Sequence, residues 1–369
     1  MLEHPVVSAD VSWIQLKLDA PITDATHELH VLDFVVLELT DAAGNVGISY
    51  LLGLGYATDV LFGITADASR KAIGASASRR NEVWHDLHEG YEYIGRGGVA
   101  AWGLAAVDVA LWDLYGKQTG QSVLSLLGGA RAAAPAYGSG GWLTYSVEDL
   151  IAEANHYLDR GLGAYKMKVG RGVREDAERV RAVRASLGSV PLMIDANQGY
   201  RLPEAASLSR MVEDLEVNWF EEPLRAEDLA DYVTLRARSS IPLAMGERAF
   251  LPDGLGRSID ARAVDVVMPD VARIGGVRGW LDTAGHAATQ RLEVSPHYYR
   301  EFDATLVCAT PGASFVENFF WTDPVFVWEA RYADGTVTPP DEPGFGLHLK
   351  DSARADLLVR HAHIDAGSA

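Results

Sequence analysis

The sequence predicts an α/β protein built as a modified (β/α)8 barrel, with a smaller α+β domain at its N-terminus. Beyond about residue 135, short apolar strands alternate with helical segments in eight βα-like units. Before about residue 127 the strands come first and the helices follow. A run of small residues, "LGGARAAAPAYGSGGW" (127–142), separates the two patterns. A chain of 369 residues suits one barrel-sized unit and a smaller one. The expected boundaries are 1–127 and 135–345, with about 346–369 returning to the first domain.

In the first domain, "SWIQLKL" and "FVVLELTDAAGNVGISYLL" read as strands, the second holding a Gly-containing turn that makes a hairpin. Helical pattern follows in "NEVWHDLHEGY" and "GGVAAWGLAAVDVALWDLYGKQTG". The apolar stretch 97–116 carries Asp108 and Asp113, so it reads as a buried helix and not as a membrane span.

"PAYGSG" is the first strand of the second domain, followed by "AYKMKV", "PLMIDA", "NWFEEP", "IPLAMGE", "VDVVMPD", "RLEVSPH" and "SFVENF". A closed barrel is favoured over an open doubly wound sheet because no Gly-rich phosphate fingerprint follows the first strand. "RIGGVRGW" (273–280) matches no nucleotide motif and reads as a turn into a helix. The C-terminal "LLVRHAHIDAGSA" drifts into small polar residues and is expected to fray, with His361 and His363 in a solvated tail.

Composition excludes several roles. A net charge of −19 and the absence of a basic stripe argue against nucleic acid as a partner. The same charge repels anionic substrates at long range, so a local positive site is needed to hold one. The single Cys308 allows no intrachain disulfide and reads as a small buried residue. The N-terminal "MLEHPVVSADVSW" has no signal-peptide pattern, so neither a membrane nor secretion is expected, and the expected location is the cytoplasm.

Nearly every barrel strand ends in a polar residue: Lys166 and Lys168, Asp195, Glu221, Glu247, Asp270, His297 and Glu317. Asp195, Glu221 and Glu247 recur 26 residues apart, one βα unit each, which brings three acids to the C-terminal rim. Three unpaired carboxylates raise one another's pKa. A hard divalent cation resolves the conflict, and an all-oxygen set selects Mg²⁺, or Mn²⁺ in its place, over zinc. Glu222 follows Glu221 directly and faces the other way, as a structural partner. A glycosidase acid pair is the rival reading of "FEEP", but it leaves the lysines and Asp270 with His297 unexplained.

Lys166 and Lys168 are two apart on one strand and so share a face. One ammonium lowers the pKa of the other, which can create a neutral lysine base. Asp270 and His297 end adjacent strands, where the carboxylate can orient the imidazole and stabilise its charged form.

The ordered run "KMK … DAN … FEEP … GE … MPD … PH … EN" resembles the enolase superfamily, in its mandelate racemase subgroup, over essentially the whole chain. The resemblance implies a capping N-terminal domain and abstraction of a proton next to a carboxylate, one divalent ion serving each active site; a Lys or His base with Mg²⁺ stabilising an enediolate is the general account of such sites. It implies that Asp195, Glu221 and Glu247 bind Mg²⁺ and that Lys168 is one acid/base, assisted by Lys166. It implies that His297, held by Asp270, is the acid/base on the opposite side, and that Glu317 hydrogen-bonds the enediolate oxygen. Asn197 would contact a substrate hydroxyl, and Ser139 the ligand.

Two stretches, "YIGRGGVAAWGLAAVDVALWDL" and "VENFFWTDPVF", look like the dehydratases that act on talarate or galactarate. An acid-sugar dehydratase acting on an aldarate or aldonate and giving a 2-keto-3-deoxy acid is therefore expected. A racemase or epimerase of a 2-hydroxy acid, a sugar-lactone cycloisomerase, and an inactive binding protein on the same fold remain as alternatives. The cap pieces 20–30 and 51–59 should close the site and set specificity, with Ile22, Leu29, Tyr298, Phe319 and Trp142 adding apolar area. The expected partner is a small carboxylate, and the resemblance implies a homo-oligomer.

Overall fold

A computed structural model describes residues 4–367. The chain opens with a three-stranded meander, β1 (Val6–Thr23), β2 (Glu28–Asp41) and β3 (Val46–Gly53). Helices α1 (Thr58–Ser69), α2 (Arg80–Gly90), α3 (Val99–Thr119) and the single turn α4 (Val123–Leu126) follow. The run of β2 from Leu32 to Leu37 is buried without alternation because α1 and α3 cover one face of this sheet and Phe326, on which Phe34 packs, covers the other.

α3 is long and apolar enough to cross a membrane by composition, yet its surface is buried against α1, β3 and α10 (Gly276–Thr289). Its two acids explain why it is not wholly apolar. Asp113 accepts from the amides of Ile48 (2.9 Å) and Phe345 (2.7 Å) and pairs with Lys117. Asp108 accepts from the Arg278 amide at the start of α10. The φ of Gly276 is +83°, and a side chain there would collide with Asp108.

The barrel strands are β4 (Ala134–Gly140), β5 (Ala164–Lys168), β6 (Leu192–Asp195), β7 (Val217–Glu221), β8 (Leu243–Met245), β9 (Val266–Val267), β10 (Glu293–Val294) and β11 (Val316–Asn318). Neighbours pair in parallel from β4 to β10, β11 returns to pair with β4, and a bridge between Val294 and Ala313 completes the ring. Between them run α5 (Val147–Asp159), α6 (Val173–Leu187), α7 (Leu202–Met211), α8 (Leu229–Arg236), α9 (Leu251–Asp260), α10 and α11 (Arg300–Ala309). All eight strands expected from the sequence are present, and the modification lies after β11, which is followed by strand where the pattern calls for a helix. Tyr137, Met193, Trp219, Ala244, Val266 and Met268 fill the barrel interior.

The chain ends with β12 (Phe326–Trp328), β13 (Arg331–Ala333), β14 (Thr336–Thr338), β15 (Leu347–Leu349), α12 (Asp351–Asp356) and β16 (Leu358–Asp365). The fraying expected at the C-terminus is not found over residues 358–365. β16 lies antiparallel on β1, with Ser8 opposite Asp365, and so satisfies the outer edge of the N-terminal sheet. His361 and His363 are exposed but not free, since both bond Asp10 at 2.9 Å. The polar composition of this strand reflects an exposed outer face, which hid it from a hydrophobicity reading.

Candidate active site

The strand ends expected to carry chemistry converge. Asp195 closes β6, Glu221 closes β7 and Glu247 follows β8. One oxygen from each carboxylate lies within 4.8 Å of the others, all three side chains are buried, and no other such group of His, Cys, Asp or Glu occurs among the described residues. Burial pushes Glu221 well above the usual carboxylate range, with Asp195 and Glu317 adding and Lys166 opposing. Burial acts on Glu247 too, but His297, Arg248 and the two lysines more than offset it and hold that carboxyl below its usual range. Three crowded, buried oxygen donors without a sulfur or imidazole fit a hard divalent cation.

Register fixes the lysines. Lys166 stands opposite Met193 and Lys168 opposite Asp195 in the parallel pair β5–β6. Lys166 Nζ lies 2.8 Å from both oxygens of Glu221, 2.7 Å from Glu317 and 3.8 Å from Asp195. Lys168 Nζ donates to Asp195 at 2.5 Å. The expected lowering of Lys168 by its neighbour is present but outweighed. Burial and Lys166 pull its pKa down, while Asp195, with Asp24 and Glu221, leaves it above the ordinary lysine value.

His297 Nδ1 donates to Asp270 Oδ2 at 2.8 Å, which turns Nε2 to within 3.6 Å of Glu247. Asp270 is itself anchored, its other oxygen accepting from the amides of Ala272 and Arg273. Burial disfavours the imidazolium, yet Glu247, the Asp270 hydrogen bond and Glu317 push its pKa up to about 9. Glu317 accepts from the Tyr298 amide at 2.9 Å. Glu222 turns away from the acid cluster to accept from Arg248 at 2.9 Å.

These groups border a cavity of about 210 Å³ between the barrel rim and the N-terminal domain. Lys168, Asn197, Glu247, Asp270 and His297 line it, as do Tyr298, Phe319, Leu29 and Trp142. The buried Asn197 side-chain oxygen has no partner, so it is free to meet a ligand. Four residues expected at the substrate, Lys166, Glu317, Ser139 and Ile22, are not on the cavity wall; Lys166 and Glu317 lie buried beneath it, paired with each other. Ser139 is fully buried within β4, opposite Lys166 of β5. Ile22 pairs with Leu29 across β1 and β2 and packs behind the wall with Leu29 and Trp142.

The sequence reading missed Asp24, Arg248, Arg273 and Trp321, which also line the cavity. Asp24 sits at the tip between β1 and β2, accepting from the amides of Thr26 and His27 and pairing with the His27 ring at 3.1 Å. Burial raises the pKa of this carboxyl, but the His27 hydrogen bond and the charge of Lys168 bring it down to about 2. Its signal was an Asp two residues before a Thr, the pattern of an Asx turn. Trp321 stacks against Trp142 at 5.7 Å and Phe319 at 4.3 Å between ring centres.

Residues 8–128 match the N-terminal domain model of mandelate racemase and muconate lactonizing enzyme, and residues 149–353 match the enolase C-terminal domain-like model. The chain belongs to the mandelate racemase/muconate lactonizing enzyme family. It is similar to the 3,6-anhydro-alpha-L-galactonate cycloisomerase of Streptomyces coelicolor, 30% identical over 94% of this chain and 97% of that one. The L-talarate/galactarate dehydratase of Salmonella typhimurium is 28% identical over 93% of this chain and 90% of its own. The crystal structure of L-talarate dehydratase from Polaromonas sp. JS666, complexed with Mg and L-glucarate, superposes with a TM-score of 0.92 at 32% identity, covering 98% of this chain and 99% of that one. Enolase-superfamily chemistry is thereby established for the fold, and both lyases and isomerases occur among its relatives.

Proposed function

We propose that this family member is a Mg²⁺-dependent acid-sugar dehydratase, which removes the α-proton of an aldarate or aldonate and expels the β-hydroxyl to give a 2-keto-3-deoxy acid. The observation that carries this reading is that Lys168 and the His297–Asp270 pair border one cavity beside a buried triple carboxylate. Asp195, Glu221 and Glu247 would hold the cation. Bound there, it would supply positive charge for the second negative charge of the enediolate.

Lys168 is then the base. Burial and the ammonium of Lys166 favour its neutral form, and the charge of Asp195 opposes them. Lys166 spans Glu221 and Glu317, and its positive charge would favour the substrate carboxylate. His297, whose pKa Glu247 and the Asp270 hydrogen bond push up to about 9, would donate to the departing hydroxyl, which leaves as water. Asp270 compensates the imidazolium, Glu317 meets the enediolate oxygen and Asn197 a hydroxyl. The enol product takes a proton at carbon to become the keto acid.

The aromatic wall of Trp142, Phe319 and Trp321 favours one second reading, cycloisomerisation of a sugar lactone, whose ring presents an apolar face. Incubating a library of aldonates and aldarates in D2O with Mg²⁺ separates the two. Keto-acid formation supports dehydration, lactone consumption without loss of water supports cycloisomerisation, and the absence of keto acid, of lactone turnover and of α-deuteration on every substrate sinks both.

A further inference from the structure

We infer that Arg273 is an anchor for a second carboxylate, so that the substrate is a dicarboxylic acid sugar and not a monocarboxylic one. The inference rests on the acid-sugar reading for the kind of molecule and adds what its far end must carry. Its basis is the distribution of charge around the cavity.

Five side chains that line the cavity can carry positive charge. Lys168 donates to Asp195, Arg248 to Glu222, and His297 to Asp270. His27 is paired with Asp24 at 3.1 Å. Arg273 alone among them has no carboxylate and no hydrogen-bond acceptor for its guanidinium among the described residues. The chain carries 51 acids against 32 bases, so an unpaired arginine facing a cavity is not a product of scarcity.

The residue is nonetheless held in place. Its amide donates to Asp270 at 3.1 Å and its carbonyl accepts from Leu251 at 3.0 Å. The guanidinium lies against two rings, 5.4 Å from the centre of Trp102 and 5.7 Å from that of Phe250. Ring faces hold a guanidinium without consuming its N–H donors, which stay available to bond a carboxylate bidentately. Trp102 comes from the N-terminal domain and Phe250 from the loop after β8, so the pocket forms only when the cap sits on the barrel. A dianionic substrate approaching a protein of net charge −19 needs a second local cation, beyond those at the reacting carboxylate, to offset the long-range repulsion.

The test compares hexarates with hexonates of the same configuration, which differ only in the terminal group, on the Mg²⁺-loaded protein. The wild type is expected to prefer the hexarate in kcat/KM. Arg273→Met should lower kcat/KM for the hexarate by roughly 10- to 100-fold, mainly through KM, as expected for the loss of a charged hydrogen-bonded pair. The same variant should lose clearly less on the hexonate than on the hexarate, and Arg273→Lys should recover part of the hexarate loss. Equal losses on both substrates, or none on either, would overturn the inference. So would a wild type that prefers hexonates, a comparison that does not depend on any variant folding. Turnover of hexonates alone overturns this inference and leaves the acid-sugar reading standing, whereas exchange on neither class removes both.

Discussion

At the scale of single residues, Lys168 and His297 are proposed to reach the α-carbon from opposite sides, so their losses should be separable. Lys168→Met and His297→Asn are each expected to lower kcat by roughly 10²–10⁴-fold. In D2O, each should stop α-proton exchange on one epimer while sparing the other, as followed by NMR. Loss of both epimers in each variant would show that the two groups do not act from separate faces. Asp108 gives a second prediction, on stability. Burial pushes its carboxyl up to about 7, although the amides of Arg278 and Val277 and the charge of Arg80 favour the anion. Between pH 4 and 7 the folded protein therefore holds a proton that the unfolded chain has released, and stability falls as pH rises through that window. The contribution is on the order of 4 kcal/mol, and Asp108→Asn should remove it, so the gap in Tm between variant and wild type should shift in the variant's favour from pH 4 to pH 8. The convergence of the three acids with Lys168, Asp270 and His297 was legible because strand ends in a barrel need no charge, and charge recurring there marks a candidate site. Asp24 and Arg273 were not, because each lies in a loop where a lone charged residue is ordinary. Their meaning comes from Lys168 and from Trp102, which are distant in sequence.

Elements set the site's geometry through close backbone approaches that a hydrophobic pattern does not record. The strands of the barrel were legible as short apolar runs, but β16 was not, since it shows polar side chains on an exposed edge and is defined by pairing with β1 across the whole chain. The tip between β1 and β2 is a similar case. Ala25 rests on the loops after β5 and β6, where the methyl of an alanine at Gly170 or Gly199 would come within 2.8 or 2.7 Å of its Cβ. The φ of Gly170 is +138°, a region that a side chain strains, so only glycine lets the tip settle there. Since Asp24 and His27 belong to this tip and line the cavity, the contact holds the lid over the site. Gly199→Ala is expected to displace the tip, raising KM and lowering kcat together by roughly tenfold or more, with a Tm within a few degrees of wild type. Unchanged kinetics would mean that the tip does not govern access.

For the molecule as a whole, the acidic excess and the buried triple carboxylate make opposite predictions about cations, and pH distinguishes them. A surface of net charge −19 attracts any divalent ion weakly, through screening, with no dependence on one residue. The triad instead gathers three anions from consecutive strands and leaves Glu221 holding a proton more tightly than an ordinary glutamate. A cation entering there must displace that proton, so its stabilisation of the folded chain should grow as pH rises and the competing proton is lost. Adding Mg²⁺ at about 100 times its Kd should stabilise the fold by about 2.7 kcal/mol and raise Tm by a few degrees. EDTA should reverse the rise, and the rise should be smaller at pH 5.5 than at pH 8. Glu221→Gln removes both a ligand and the competing proton, so its shift should be small and flat with pH. An equal, pH-independent rise in wild type and variant would assign the ion to the acidic surface and leave the triad without a metal role.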